Sequence, residues 1–225
     1  MLATAPARVI PHEMAAKVRP PTLAGERLLP VTPSLQEILP AGGLQRGSTV
    51  VVDAHKVDAH KADARKVGGA TTLAVEMLVG VSVGGFWCAV AGFADLGIVA
   101  AAERGIDLAR LILVPSLGPP DRWLQVVATL FDAVDAVLLV PRGAVRPSDA
   151  RRLAARSRER GSVLLVLDQR GDWPGPNDLR CTVVRSEWSG LSKGYGLLTG
   201  RRFELEVSGR GAAARPRLAP LQLPA

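Results

Sequence analysis

The sequence predicts an α/β fold: a mostly parallel sheet flanked by helices, with an antiparallel C-terminal extension. Three observations predict it. Short, continuously apolar runs recur between Ser48 and Leu167, as strands buried on both faces require. Helical stretches punctuated by glycine separate those runs, which is the rhythm of crossover connections. From Trp173 the rhythm gives way to short alternating stretches broken by turn residues, which read as antiparallel strands on the sheet edge.

The elements follow in order. Residues 1–30 are rich in Pro, Ala and Arg and read as a flexible lead. A domain is expected over 31–208. Leu35, Ile38 and Leu39 form a short amphipathic turn, and Ser48 to Val52 is a β-branched buried strand. Ala70 to Val83 reads as a helix, Phe86 to Gly92 as a strand, and Asp95 to Arg104 as a helix stopped by Gly105. Leu111 to Val114 is a strand. Pro119 to Val134 is a helix with proline near its start, where the missing N–H costs little. Ala136 to Val140 is a strand, Pro147 to Arg160 a helix stopped by Gly161, and Val163 to Leu167 a strand. The extension spans 173–208, and 209–225 reads as a basic, Pro/Ala-rich tail.

Composition narrows the function classes. The 28 basic residues outweigh 21 acidic ones, only five of them are Lys, and the pI is about 10.2. Partners with negative surfaces are favoured, nucleic acid or acidic protein. Cys88 and Cys181 make neither a disulfide framework nor a metal spacing, and Cys88 reads as a small core residue. A cytoplasmic location is expected. The uncharged run from Met77 to Ala94 approaches the length of a membrane span, but Gly84-Gly85 divides it into a buried helix and a buried strand. No membrane contact is expected.

Between Asp53 and Val67 the units DAHKV, DAHKA and DARKV follow one another. A period of five fits neither helix nor strand, so 53–67 reads as a low-complexity insertion in a loop. Metal binding by His55, His60 and the aspartates is the sharper alternative, and it lacks a tetrahedral ligand set. No metal or cofactor is expected.

With the repeat set aside, GGLQRGSTVVV runs into GGATTLAVEML, which resembles the opening of the RecA-type ATPase core. VAGFADLGIVAAAERGIDLARLILV is similar to the second strand, helix and third strand of that core. VDAVLLVPRGAV falls where the Walker B strand stands, and RPSDARRLAARSRERGSVLLVLDQR resembles the next helix and strand. The order and spacing of WCAVAGFADLGIVAAAERGIDLARLILVP, DARRLAARSRERGSVLLV and the Trp173–Gly175 turn resemble the actinobacterial ImuA-type (ImuA′) proteins. These are short RecA relatives of the translesion-synthesis mutasome.

Set against that resemblance, the phosphate chemistry is missing. A working loop reads GxxxxGK[ST], with backbone N–H groups and a Lys on the phosphates and a hydroxyl on magnesium. Here Gly68 and Gly69 lead to Ala70 where Lys would stand, and only Thr71 and Thr72 remain. The magnesium-supporting Asp position is Val140, and the water-activating Glu position is Phe93. One such preorganised contact is worth ~2.7–4 kcal/mol in a transition state. The chain is therefore expected to be no enzyme, neither hydrolysing ATP nor binding it tightly.

Cationic side chains are the remaining candidates. Arg152, Arg156 and Arg160 recur every four residues on one helical face, with Arg151 and Arg158 beside it. Such a face is either simply solvated or a contact for DNA phosphates or an acidic partner. Arg201 and Arg202 open a second basic region. The four tryptophans read as core or turn packing, without aromatic–basic interleaving for base stacking.

The resemblance implies a non-catalytic adaptor in the SOS-type DNA damage response. Its partners would be an ImuB-like Y-family polymerase subunit and an error-prone C-family polymerase, with RecA or DNA as further contacts and nucleoid association when active. The alternatives are a RecA-like DNA-dependent ATPase and a damage-induced cell-division inhibitor.

Overall fold

A computed structural model describes residues 27–54, 68–119, 122–192 and 195–224. Its centre is an eight-stranded sheet. In chain order the described elements are β1 (Leu28–Leu29), α1 (Pro33–Gln36), β2 (Leu44–Gln45), β3 (Thr49–Ala54), α2 (Ala70–Val83) and β4 (Cys88–Ala91). Then come α3 (Ile98–Glu103), β5 (Leu111–Val114), α4 (Trp123–Ala133), β6 (Ala136–Leu139), α5 (Pro147–Arg160) and β7 (Val163–Leu167). The chain finishes with β8 (Leu179–Ser192), β9 (Tyr195–Gly209) and β10 (Arg217–Pro224).

The spatial order is β10-β9-β8-β3-β7-β6-β4-β5. Strands β8, β3, β7, β6, β4 and β5 run parallel, while β9 and β10 are antiparallel additions. The apolar runs explain the parallel part. Val50 and Val52 of β3 face one core and Val51 the other. Val163, Leu165 and Leu167 of β7 likewise oppose Leu164 and Val166. One core packs the sheet against α1, α2 and the residues around Leu29, and the other packs it against α4, α5 and Trp173. Period-two alternation with both faces apolar leaves no polar side, so helices must cover both.

Helix α2 is buried almost all round, from Leu73 to Ser82. A Cβ on Gly80 would stand 2.2 Å from the Val31 Cα, so the 30–32 segment lies directly on the helix. Its one buried carboxylate, Glu76, accepts from Arg104 Nε (3.1 Å) and Nη2 (2.6 Å), and Arg104 Nη1 donates to the Pro224 carbonyl (2.8 Å). The uncharged run is divided as expected, with α2 ending at Val83 and β4 beginning at Cys88. Among the described residues, no helix is long and apolar enough to cross a membrane.

Several expectations need correction. The sequence-based tail is not a tail: Arg217–Pro224 pairs with β9 from Val207 to Gly200, and Leu221 and Leu223 point into the core. The extension is not wholly antiparallel, because β8 joins β3 in parallel before β9 turns back. Strand β3 continues through Asp53 and Ala54, so the first two residues of the 53–67 segment expected as loop belong to the strand. Arg27 to Pro30 belong to the fold, since Leu28 and Leu29 pair with Gln45 and Leu44. Helices α3 and α4 start later than expected, at Ile98 and Trp123. The remaining lead, 1–26, and the repeat residues 55–67, with His55 and His60, lie outside the described residues.

Candidate functional site

The chain leaves β3 toward β4 on one side and comes back on the other side at β8. The carboxyl end of β3 is thus a topological switch point, where open α/β sheets hold ligands. The described chain resumes after β3 at Gly68-Gly69, which lead into α2. Gly69 is the N-cap, with φ 121° and no side-chain cap bond. Gly68 and Thr71 are exposed, and Gly69, Ala70 and Thr72 are half-buried.

The space beside this turn is filled from the extension. A Cβ on Gly69 would meet Phe203 Cε1 at 2.5 Å and Arg201 Nη2 at 3.2 Å, and one on Gly68 would meet Arg201 Nη2 at 3.1 Å. Arg201 Nη1 donates to Thr72 Oγ1 (3.3 Å), and its Nε donates to Ser186 Oγ (2.7 Å). The guanidinium carbon lies 4.5 Å from the Trp188 ring centre and 5.1 Å from that of Phe203. Burial lowers the Arg201 pKa from its ordinary value. Among the described residues no carboxylate lies within ion-pair distance of it. A cation beside a helix N-terminus gains nothing from the helix dipole, so ring stacking and neutral hydroxyls hold this one.

The carboxyl ends of the neighbouring strands are apolar or already engaged. Val140 is buried, and its N–H donates to the Ala91 carbonyl (2.9 Å). Phe93, two residues past β4, packs against the same core. Ala91 and Leu139 are register partners, so these two positions lie on adjacent strand ends. Asp168, at the end of β7, accepts from the N–H groups of Gly171 (2.8 Å), Asp172 (3.3 Å) and Trp173 (2.8 Å), which folds its carboxylate into the following turn. A cavity of about 10 Å³ lies there between Pro141, Val145 and Trp173, with room for about one water. The roomier cavity, about 170 Å³, sits at the opposite end of the sheet between Pro40, Ser48, Asp178 and Ala213.

Sequence reasoning placed Asp53 only among the aspartates of the repeat and did not single out Phe203. Asp53 is 6% exposed and ion-pairs with Arg180 on β8, and its Oδ1 has no hydrogen-bond partner. Phe203 is 1% exposed. Its signal was present in the alternation Arg201, Phe203, Leu205, Val207, which places Arg201 on the core-facing side of β9. The described residues contain no cluster of His, Cys, Asp and Glu able to hold a metal ion.

The structure separates the arginines. Arg156 donates to Asp132 of α4 (2.9 and 3.0 Å) and to Glu159 (3.0 Å), and the Glu159 hydrogen bond does most to raise its pKa. Arg160 pairs with Asp132 at 2.7 Å. Both are cross-links between α4 and α5. Arg151 and Arg152 stay exposed on α5. Arg201 and Arg202 are adjacent on a strand and therefore face opposite sides of β9.

Fold and site define a mixed α/β protein with the end of β3 and the glycine-led start of α2 at the switch point of a mostly parallel sheet. The chain belongs to the MT3502 family, whose N-terminal domain it matches over residues 56–175. It is 34% identical over 178 residues to the uncharacterized protein Rv3395c of Mycobacterium tuberculosis (strain ATCC 25618 / H37Rv). That alignment covers 76% of this chain and 84% of the relative.

Proposed function

We propose that this is a non-catalytic adaptor built on a RecA-like P-loop core, of the ImuA-type, that docks polymerase subunits during mutagenic translesion synthesis. One observation carries the reading. The turn that would cradle phosphate has Ala70 in place of a cation and is packed against Phe203 and Arg201. Val140 and Phe93 stand on adjacent strand ends where carboxylates would be needed. A scaffold in that condition works through its surfaces. The sequence resemblance supplies the identity of the partners: an ImuB-like Y-family subunit and an error-prone C-family polymerase, met in the cytoplasm at damaged DNA.

Two measurements test the proposal. Tagged chain from damage-treated cells captures the ImuB-like subunit, and deletion of its gene lowers damage-induced mutagenesis. Calorimetry with Mg·ATP gives no binding tighter than about 10 µM, ~−7 kcal/mol. Absence of the subunit from the capture, with mutagenesis intact in the deletion strain, refutes the adaptor. ATP turnover in the assembled complex refutes the non-catalytic part and favours a partner-completed ATPase.

A further inference from the structure

Strands β8 and β9 outrun the sheet. Strand β8 pairs with β3 only from Leu179 to Val183, and β9 pairs with β10 only from Gly200 to Val207. Among the described residues, Arg185–Ser192 and Tyr195–Thr199 therefore have only each other as strand partners. A two-stranded ribbon of this kind is marginally stable alone, yet it carries exposed apolar side chains: Trp188 (49% exposed), Tyr195 (77%) and Leu197 (82%). The other tryptophans are buried or half-buried, so both strongly exposed Trp and Tyr rings of the described chain lie on this ribbon.

Trp188 is the register partner of Arg201, and Ser192 that of Tyr195. The pairing shifts between Ser189 and Leu191, which leaves Leu197 to Thr199 without partners in the β8–β9 register. At the foot of the ribbon, Phe203 lies on the same side of β9 as Arg201 and enters the core. At its base the Arg201 guanidinium covers one side of the indole without a counter-carboxylate among the described residues, and Arg202 is exposed on the opposite side. The ribbon's own acid, Glu187, is taken by Arg185 at 2.5 Å.

We propose that the ribbon carrying Trp188, Tyr195, Leu197 and Arg201 is a binding platform for single-stranded nucleic acid. Rings accept bases by stacking irrespective of sequence, and uncompensated guanidinium groups supply charge for the phosphates. A chain with net charge +7 adds long-range attraction. An apolar protein segment would use the rings and Leu197 but would leave Arg201 unpaired, so the charge balance selects a polyanion. The assignment deepens the adaptor reading and rests on it for placing nucleic acid near the protein.

The test uses the full chain and a fluorescein-labelled oligo-dT of roughly twenty nucleotides. The expected result is micromolar or tighter binding by anisotropy, quenching of tryptophan fluorescence, and preference over duplex of equal length. Trp188→Ala and Tyr195→Ala each weaken binding roughly 5- to 150-fold, at ~1–3 kcal/mol per stacked base. Arg201→Gln lowers the log–log salt slope by about 0.7. Tyr195→Ala has little packing to lose, so it stays informative if Trp188→Ala unfolds, which urea titration detects. No binding by the wild type, or equal binding by Tyr195→Ala and a folded Trp188→Ala, overturns the assignment. If both ring variants keep DNA but lose the ImuB-like subunit, the ribbon is a protein-docking element and the nucleic-acid assignment falls. Loss of DNA with capture intact supports the platform and leaves the adaptor standing; failed capture by the wild type removes the adaptor whatever the DNA result.

Discussion

Gly69→Ala is the sharpest probe of the turn that opens α2. At φ 121° the new residue occupies backbone space that L side chains rarely enter, a strain of roughly 1–3 kcal/mol. Its Cβ also arrives 2.5 Å from Phe203 Cε1, well inside an ordinary contact. Phe203 is 1% exposed and packed among Leu205 and Val183, so the ring has no free direction in which to retreat; forced overpacking costs about 1–3 kcal/mol. Reduced freedom of the unfolded chain returns about 0.4–1 kcal/mol. The expected net loss is roughly 2–4 kcal/mol. Urea unfolding reads it as a midpoint lowered by about 1–2 M at unchanged slope, for a slope near ~2 kcal/mol/M. In a Phe203→Leu background the penalty shrinks but does not vanish, because only the contact is relieved. A Gly69→Ala midpoint within about 0.3 M of wild type would refute the claim that Phe203 closes this turn.

Two further predictions concern buried groups. Replacing Arg180 with Met leaves the Asp53 carboxylate buried without its partner and costs roughly 2–4 kcal/mol in the same titration. The usual 3–5 is reduced here because Arg180 is itself 26% exposed; adding Asp53→Leu restores most of the loss, and no recovery would mean that the pair is not coupled. Burial pushes both cysteine thiols up to about 12, against an ordinary 9.0. At pH 8 they therefore react with a thiol reagent only after unfolding. Since the folded state holds these protons longer, stability falls as pH rises from about 9 toward 12, by up to ~1.4 kcal/mol per pH unit and thiol. Serine variants that keep the same alkaline slope would exclude the thiols as its source.

Much of the parallel sheet could be read from the chain because its strands are apolar on both faces and its helices carry local stop signals. Helix α5 is the plainest case, with Pro147 in its first turn and Gly161 in the left-handed region at φ 66°. Strand β10 was hidden by composition. Pro220 and Pro224 look like breakers, yet an edge strand tolerates proline on its outward side. The inward Leu221 and Leu223 were the signal that survived.

The candidate site was legible at the turn and illegible around it. Gly68-Gly69-Ala70 announced a missing cation. What fills the space comes from β9, more than 130 residues later, where no local pattern points back. The α5 arginines show the same limit. Their four-residue spacing is real, but Asp132 sits on another helix, and it converts Arg156 and Arg160 from free charge into struts.

The prolines of β10 also bear on how copies of this chain could associate. Growth of a sheet across molecules needs two open borders, one to receive a strand and one to offer it. Among the described residues, the border at β10 carries two residues with no proton to donate, and the opposite border is only the four-residue β5. Both borders are therefore poor places for a second copy to add a strand.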